Sequence, residues 1–183
     1  MDTYAETLKP LYGDQATGAD YTTVSICEAG VGEGTTLASL YNRLPKSQWH
    51  GFDLSPERIR VAAAFLTALG LEAKVFEGSY LDESPAPNQF DIVYTSHSLE
   101  PSMGREVEGI RNLARRSRRW VVLFEPCYEL APPEAQARME RLGYVRGLEK
   151  AGYEAGVAWQ EIRPIQTVLN PLNPTTLFLG ELR

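Results

Sequence analysis

Apolar residues along this chain recur in two alternating rhythms from about residue 22 onward. Short apolar runs at Val24–Cys27, Trp49–Phe52, Ala73–Glu77, Phe90–Thr95 and Trp120–Phe124 read as strands. The last is unbroken, as expected of a central parallel strand covered on both faces. Between these runs the spacing turns helical. Leu37, Leu40, Tyr41 and Leu44 fall at i, i+3, i+4 and i+7 and stop before Pro45. Ser55-Pro56-Glu57 supplies an N-cap, a proline at the first helical position and an acid in the first turn. Ile59, Ala62, Ala63, Leu66 and Leu69 continue that helix on one face, and Gly70 marks its end. After a loop at Ser84–Asn88, a helix is predicted from about Ser102 to Arg116, with Met103, Val107, Ile110 and Ala114 on one side. Pro132-Pro133-Glu134 opens a further helical region, interrupted at Gly143 and Gly147 and closing at Gly152.

The pattern changes at the end of the chain. Val157–Arg163 and Thr175–Leu182 are strand-like, and the Pro164–Pro174 link is too short for a crossover helix, so these two runs should pair antiparallel. The expectation is an α/β fold: a seven-stranded, mostly parallel sheet with a C-terminal antiparallel hairpin and helices on both faces. The expected division is an N-terminal segment or lid at 1–21 and one domain at 22–183. Tyr4, Leu8, Leu11 and Tyr12 at roughly helical spacing make a short helix over the ligand the favoured form of that segment, with a loose arm as the alternative.

Composition narrows the function. A chain of 183 residues, 43% hydrophobic and 23% charged, suits one globular domain. The net charge of −6 and pI near 5.0 argue against a nucleic-acid-tracking protein. Arg111, Arg115, Arg116, Arg118 and Arg119 do cluster, but at an expected helix C-terminus, where cations suit the macrodipole and a solvated helix end is the plainer reading. Cys27 and Cys127 lie far apart without metal-ligand spacing and read as buried thiols. With no secretory signal pattern and no membrane-length apolar run, a cytoplasmic protein is expected, without a membrane partner.

The chemistry concentrates at Val24-Ser25-Ile26-Cys27-Glu28-Ala29-Gly30-Val31-Gly32-Glu33-Gly34, a strand, an acid and a three-glycine turn opening into a helix. Asp53 ends the next apolar run about 20 residues on, where a carboxylate suits the two hydroxyls of a ribose. Thr35 stands where the dinucleotide fingerprint wants its last glycine, and Glu28 would face a pyrophosphate unfavourably while suiting an ammonium group. A nicotinamide site or an unrelated glycine turn are the alternatives these residues leave open.

This E-x-G-x-G-x-G, with Gly51-Phe52-Asp53-Leu54-Ser55 following, resembles motifs I and II of the class I S-adenosylmethionine-dependent methyltransferases. Five parallel strands followed by a hairpin resemble the fold of that family. The resemblance implies S-adenosyl-L-methionine as cofactor and S-adenosyl-L-homocysteine as product. Glu28, Ala29, Gly30 and Gly32 would lie along the methionine portion, Asp53 would accept the ribose hydroxyls, and Leu54 would pack on adenine. Gly78-Ser79, with Tyr80 after them, stand where many relatives place an acid facing the adenine amino group, so this chain departs from the pattern there. Phe90–Glu100 resembles motif IV, which puts Thr95 and Ser96 at the sulfonium and makes His97 the candidate base, or alternatively a residue that only shapes the pocket.

Glu125 and Tyr128, with Glu129, sit at the exit of an apolar strand and are candidates for acceptor contact or catalysis; turn capping is the alternative. Asn170–Thr175, with its two Asn-Pro steps, leads into the last strand from the active-site side and is a candidate acceptor loop. No metal cluster is expected. The expected acceptor is a small polar metabolite, since the chain has no inserted domain to read a macromolecule. A protein or RNA acceptor, and a catalytically silent partner subunit, are the other readings. A homo-oligomer stays open.

Overall fold

The computed structural model describes residues 2–16, 24–44, 47–82, 86–102, 104–165 and 170–182. Pro45, Ser84, Pro85, Met103 and residues 17–21, all named above, lie outside them, as do residues 166–169 of the Pro164–Pro174 link.

Seven strands form one sheet: β1 Val24–Ala29, β2 Ser47–Asp53, β3 Ala73–Glu77, β4 Phe90–Ser96, β5 Ser117–Glu125, β6 Ala158–Pro164 and β7 Thr176–Glu181. Their order across the sheet is β3-β2-β1-β4-β5-β7-β6. The first five run parallel to one another, whereas β7 runs antiparallel to both β5 and β6. The expected architecture is thus the observed one. The chain order reverses between β1 and β4, which opens a crevice beyond their carboxyl ends. Register brings Ala29, Asp53, Ser96, Glu125 and Thr176 to that same edge.

Side chains alternate between two cores because successive strand residues point to opposite faces. Ile26, Trp49, Ile92, Tyr94, Val122 and Phe124 face α2 (Thr35–Tyr41) and α3 (Pro56–Ala68), meeting Leu37, Leu40 and Leu66. Cys27, Phe52, Val93, Val121, Leu123 and Phe178 face α4 (Glu106–Arg116) and α6 (Leu148–Glu154). The first helix, α1 (Asp2–Leu8), and the 3-10 turn Lys9–Ala16 pack into the first core through Tyr4, Leu8 and Tyr12. Tyr4 stacks on Phe124 with ring centroids 3.7 Å apart, so this segment adds to the sheet's cover. The remaining helix, α5 (Pro133–Leu142), packs on the 3-10 turn Tyr128–Leu130 in a small separate cluster.

α3 follows its sequence signals closely: the Ser55 hydroxyl accepts from the Arg58 amide at 3.3 Å, Pro56 is the first helical residue, and Gly70 takes φ 68 just past the end. α4 begins at Glu106, later than the spacing predicts, because Gly104 sits at φ 86 and Ser102 and Arg105 bond in turns instead. Gly152 does not close a helix but lies inside α6. A Cβ there would stand 2.1 Å from the Trp159 indole, which donates to the Glu149 carbonyl at 3.0 Å. Gly152→Ala is therefore expected to cost about 1–3 kcal/mol through overpacking, despite alanine's better helix propensity; thermal unfolding would check it.

The arginine cluster also divides differently from a solvated helix end. Arg116 is buried, lies 4.8 Å over the Phe52 ring, and donates to the Ser79 carbonyl at 3.3 Å and Asp82 at 2.9 Å. Asn112 donates to the carbonyls of Tyr80 and Asp82. Together they clamp the loop after β3. Arg118 and Arg119 are taken up by Asp91 and Glu181. Both cysteines are free and buried.

Candidate active site

Where β1 ends, Gly30, Gly32 and Gly34 adopt φ of 75, 54 and 83, a left-handed run that glycine takes without penalty. The amides of Gly30 and Val31 both donate to the Phe52 carbonyl, at 2.8 and 2.9 Å. That of Gly32 donates to Asp53 Oδ2 at 3.0 Å, and that of Gly34 to the Val31 carbonyl. These four amides are spent inside the protein. The turn therefore offers none of them to a phosphate, which sets it apart from a pyrophosphate cradle. A Cβ on Gly30 would lie 2.3 Å from Ser98 Cβ, so the β1 turn and the β4 turn touch backbone to side chain. Ser98 Oγ fixes the contact by donating to the Ala29 carbonyl at 2.9 Å.

Asp53 is buried at the tip of β2. Its Oδ2 accepts the Gly32 amide and its Oδ1 the Ser55 amide at 2.9 Å. A carboxylate has about four acceptor sites, so two remain, which suits a vicinal diol. Beside it opens a cavity of about 610 Å³, walled by Gly30, Phe52, Asp53, Leu54, Gly78, Ser79 and Tyr80 together with His97, Ser98, Glu100, Leu142 and Tyr144. Its volume is that of a small-molecule site. Leu54 is 76% exposed, an unusual position for leucine that leaves an apolar surface free for a flat ring. The wall carries two carboxylates, Asp53 and Glu100, against one cation, Arg58. This balance, with the spent amides, fits a positively charged nucleoside better than an anionic one.

The other expected residues fall into distinct places. Thr95 and Ser96 end β4, and Ser96 Oγ donates to the Tyr4 hydroxyl at 3.5 Å. Glu28 is buried beneath the turn and accepts from the Tyr94 hydroxyl at 2.8 Å. Burial pushes its carboxyl up to about 8, against the pull of the Tyr94 hydrogen bond. Glu125 stands under the cavity rather than in its wall. Its two oxygens accept the Ser98 and Leu99 amides at 3.0 and 3.2 Å, so it caps the β4 turn, and burial pushes it up to about 7. Tyr128 lies outside the cavity wall, donating to Glu140 at 2.6 Å with Arg146 4.1 Å over its ring. Glu129 accepts the Gly147 amide. For Glu125 and Glu129, the capping alternative describes the geometry.

A raised carboxyl has a definite consequence for stability. Glu28 is neutral in the folded protein below its raised value and must ionise in the dry core above it. Stability linked to it is full below about pH 4.5 and falls as pH rises to about 8. Glu28→Gln is expected to match wild type in Tm near pH 5 and to exceed it near pH 9; equal Tm at both would place the ionisation elsewhere.

His97 reaches the cavity from φ 50, a left-handed conformation rare outside glycine. Its Nδ1 lies 3.0 Å from Glu100 Oε1 and its Nε2 2.7 Å from Thr175 Oγ1. Asn173 Nδ2 donates to Glu100 Oε1 at 3.2 Å. Burial works against the Glu100 carboxylate, but the His97 and Asn173 hydrogen bonds outweigh it and hold its carboxyl below the usual range. The loop before β7 thus does face the site, as its direction implied. Glu100 and Tyr144 were not singled out from the sequence. Glu100 carried the weak signal of lying i+3 from a histidine in a turn; Tyr144 carried none.

Among the described residues, no group of three His, Cys, Asp or Glu side chains is arranged to hold a metal ion, and no helix is long and apolar enough to cross a membrane. A family model described as "Methyltransferase domain" matches residues 26–120, just over half of the chain. The chain belongs to that methyltransferase family, whose cofactor is S-adenosylmethionine. Among solved structures, the YcgJ protein from Bacillus subtilis is similar at 14% identity and a TM-score of 0.70, covering 100% of this chain and 99% of that one. Magnesium protoporphyrin IX methyltransferase from Synechocystis PCC 6803, crystallised with S-adenosylhomocysteine, aligns at 15% identity and 0.68, over 98% and 84%. Geranyl diphosphate C-methyltransferase from Streptomyces coelicolor A3(2) aligns at 12% and 0.69, over 98% and 77%. At these identities the likeness is one of fold. No curated protein matches the sequence.

Proposed function

We propose that this enzyme transfers a methyl group from S-adenosylmethionine to a small polar metabolite, with the cofactor's nucleoside at Asp53 and the acceptor at His97. The observation that carries this reading is one cavity walled by Asp53, His97 and Tyr144 together, beside a β1 turn with four of its amides already spent. When bound, S-adenosylmethionine supplies a methyl group made electrophilic by its sulfonium. Asp53 would hold the ribose, Leu54 would cover one side of the adenine, and Gly78, Ser79 and Tyr80 would border it. Gly30, Gly32 and Ala29 would line the methionine portion, with Thr95 and Ser96 at the sulfonium and Glu28 beneath. Arg116 and Asn112 support the adenine wall by clamping its loop. The chain's contribution is chiefly to hold two reactants in line with water excluded, an effect of roughly 7–11 kcal/mol where the geometry is right.

Calorimetric titration with S-adenosylmethionine and S-adenosylhomocysteine tests the proposal directly. Binding in the micromolar range is expected, followed by S-adenosylhomocysteine release in a metabolite screen. No heat at high micromolar ligand would refute it.

A further inference from the structure

A non-glycine residue at φ 50 is strained and persists only where its surroundings hold it. At His97 those surroundings come from three places. The Phe124 carbonyl accepts its amide at 3.0 Å, Glu100 meets Nδ1 from the same turn, and Thr175 and Asn173 reach over from the loop before β7. In the neutral ring a hydrogen on Nδ1 serves the Glu100 and Thr175 contacts and leaves the Asn173 Nδ2 contact at 3.1 Å without a bond, since both atoms are then donors. Nδ1 carries the hydrogen and donates to Glu100 Oε1, which also accepts from Asn173. Nε2 then offers its lone pair to the Thr175 hydroxyl. The opposite tautomer would set two acceptors, Nδ1 and Oε1, against each other at 3.0 Å.

We infer that Glu100, Asn173 and Thr175 hold His97 as a general base for a hydroxyl acceptor, so that the metabolite methylated is a small alcohol or phenol and the product an ether. The inference rests on the methyltransferase reading and specifies its substrate class. A carboxylate behind Nδ1 and a bare Nε2 toward the nucleophile make the base–orienter arrangement that activates weak hydroxyl nucleophiles. Nε2 already holds a hydroxyl at 2.7 Å, so its surroundings accept an O–H donor. Thr175 can yield its place because the Tyr4 hydroxyl lies within its hydrogen-bonding reach. In the reaction the acceptor's proton passes to Nε2, its oxygen forms the new bond to the methyl carbon, and the carbon–sulfur bond breaks with its electron pair left on sulfur. Glu100 then faces an imidazolium, which returns its proton to solvent. His97 is the catalytic residue here; Glu100, Asn173 and Thr175 are positioning residues.

The test uses the full chain with nitrogen-15-labelled histidine, saturated with S-adenosylhomocysteine. The His97 ring is expected to be protonated at Nδ1 and bare at Nε2, and Glu100→Gln to move it toward the other tautomer. Phenol or methanol titrated into the complex should shift the Nε2 signal, while ethylamine leaves it in place. Nε2 found protonated with Nδ1 bare, a signal that neither hydroxyl probe moves, or an equal response to ethylamine each overturns the inference. Failure of S-adenosylhomocysteine to bind at the outset is a different result and refutes the methyltransferase reading instead. Where a hydroxyl probe is turned over, His97→Gln is expected to lower kcat by about 10²- to 10⁴-fold with S-adenosylhomocysteine affinity within twofold of wild type. A loss under threefold counts against the base.

Discussion

Asp53→Ala is expected to weaken S-adenosylhomocysteine binding by about 100-fold or more, with a far smaller effect on unfolding. Each hydrogen bond to a charged group contributes roughly 1.5–3 kcal/mol, and a ribose diol on one carboxylate makes two of them. The same side chain accepts the Gly32 and Ser55 amides, so its removal also loosens the glycine turn on which the ligand would rest. Asp53→Asn separates these effects. An amide keeps one acceptor oxygen but presents its NH2 to a backbone N–H, so affinity should fall between wild type and alanine. Calorimetry with S-adenosylhomocysteine reads all three proteins. Equal affinity in Asp53→Ala would put the ribose somewhere other than the tip of β2.

Gly30→Ala should be the most damaging small substitution in the turn. The left-handed backbone costs alanine roughly 1–2 kcal/mol, and the collision with Ser98 Cβ adds a strain of order 1–3 kcal/mol. For a chain of this size the sum corresponds to a Tm lower by about 5–15 °C. Ligand affinity should fall as well, because relief of the clash moves the β1 turn away from the β4 turn. Gly30→Ala with Ser98→Gly removes the collision but leaves the backbone cost, so part of the loss should return. By contrast a Cβ on Gly32 meets nothing within 4 Å, and Gly32→Ala carries only the backbone cost. Thermal unfolding of the three variants checks the order. A Gly30→Ala protein as stable as Gly32→Ala would show that the two turns are not in close contact.

The strands were legible because a covered parallel strand needs an apolar run, and the helices because only one stripe of each meets the sheet. The failures have local causes. The start of α4 was missed because Gly104 adopts a backbone the helix cannot use, and the end of α6 because Gly152 is glycine to admit an indole, not to stop a helix. Arg116 read as one of a solvated basic group, yet it is buried against the Phe52 ring and holds the loop after β3. The glycine turn and the Asp53 that accepts its Gly32 amide were legible because a close backbone approach constrains residue type at a fixed spacing. For Glu125 and Tyr128, a strand exit tells where a residue sits along the sheet but not that backbone amides and Glu140 take up the side chains.

The chain's own order of residues determined the layers, the direction of every strand, the glycine turn and the carboxylate opposite it, since each depends on periodicity or on chemistry within a few residues. Tertiary structure alone decided that Tyr4 stacks on Phe124, that Tyr144 closes the cavity, and that Thr175 and Asn173 meet an imidazole 78 and 76 positions away. Such contacts depend on how β7 turns back beside β5 and on where the loops beyond the sheet edge come to rest. No short-range pattern encodes that, because the packing that fixes it is shared across the whole sheet.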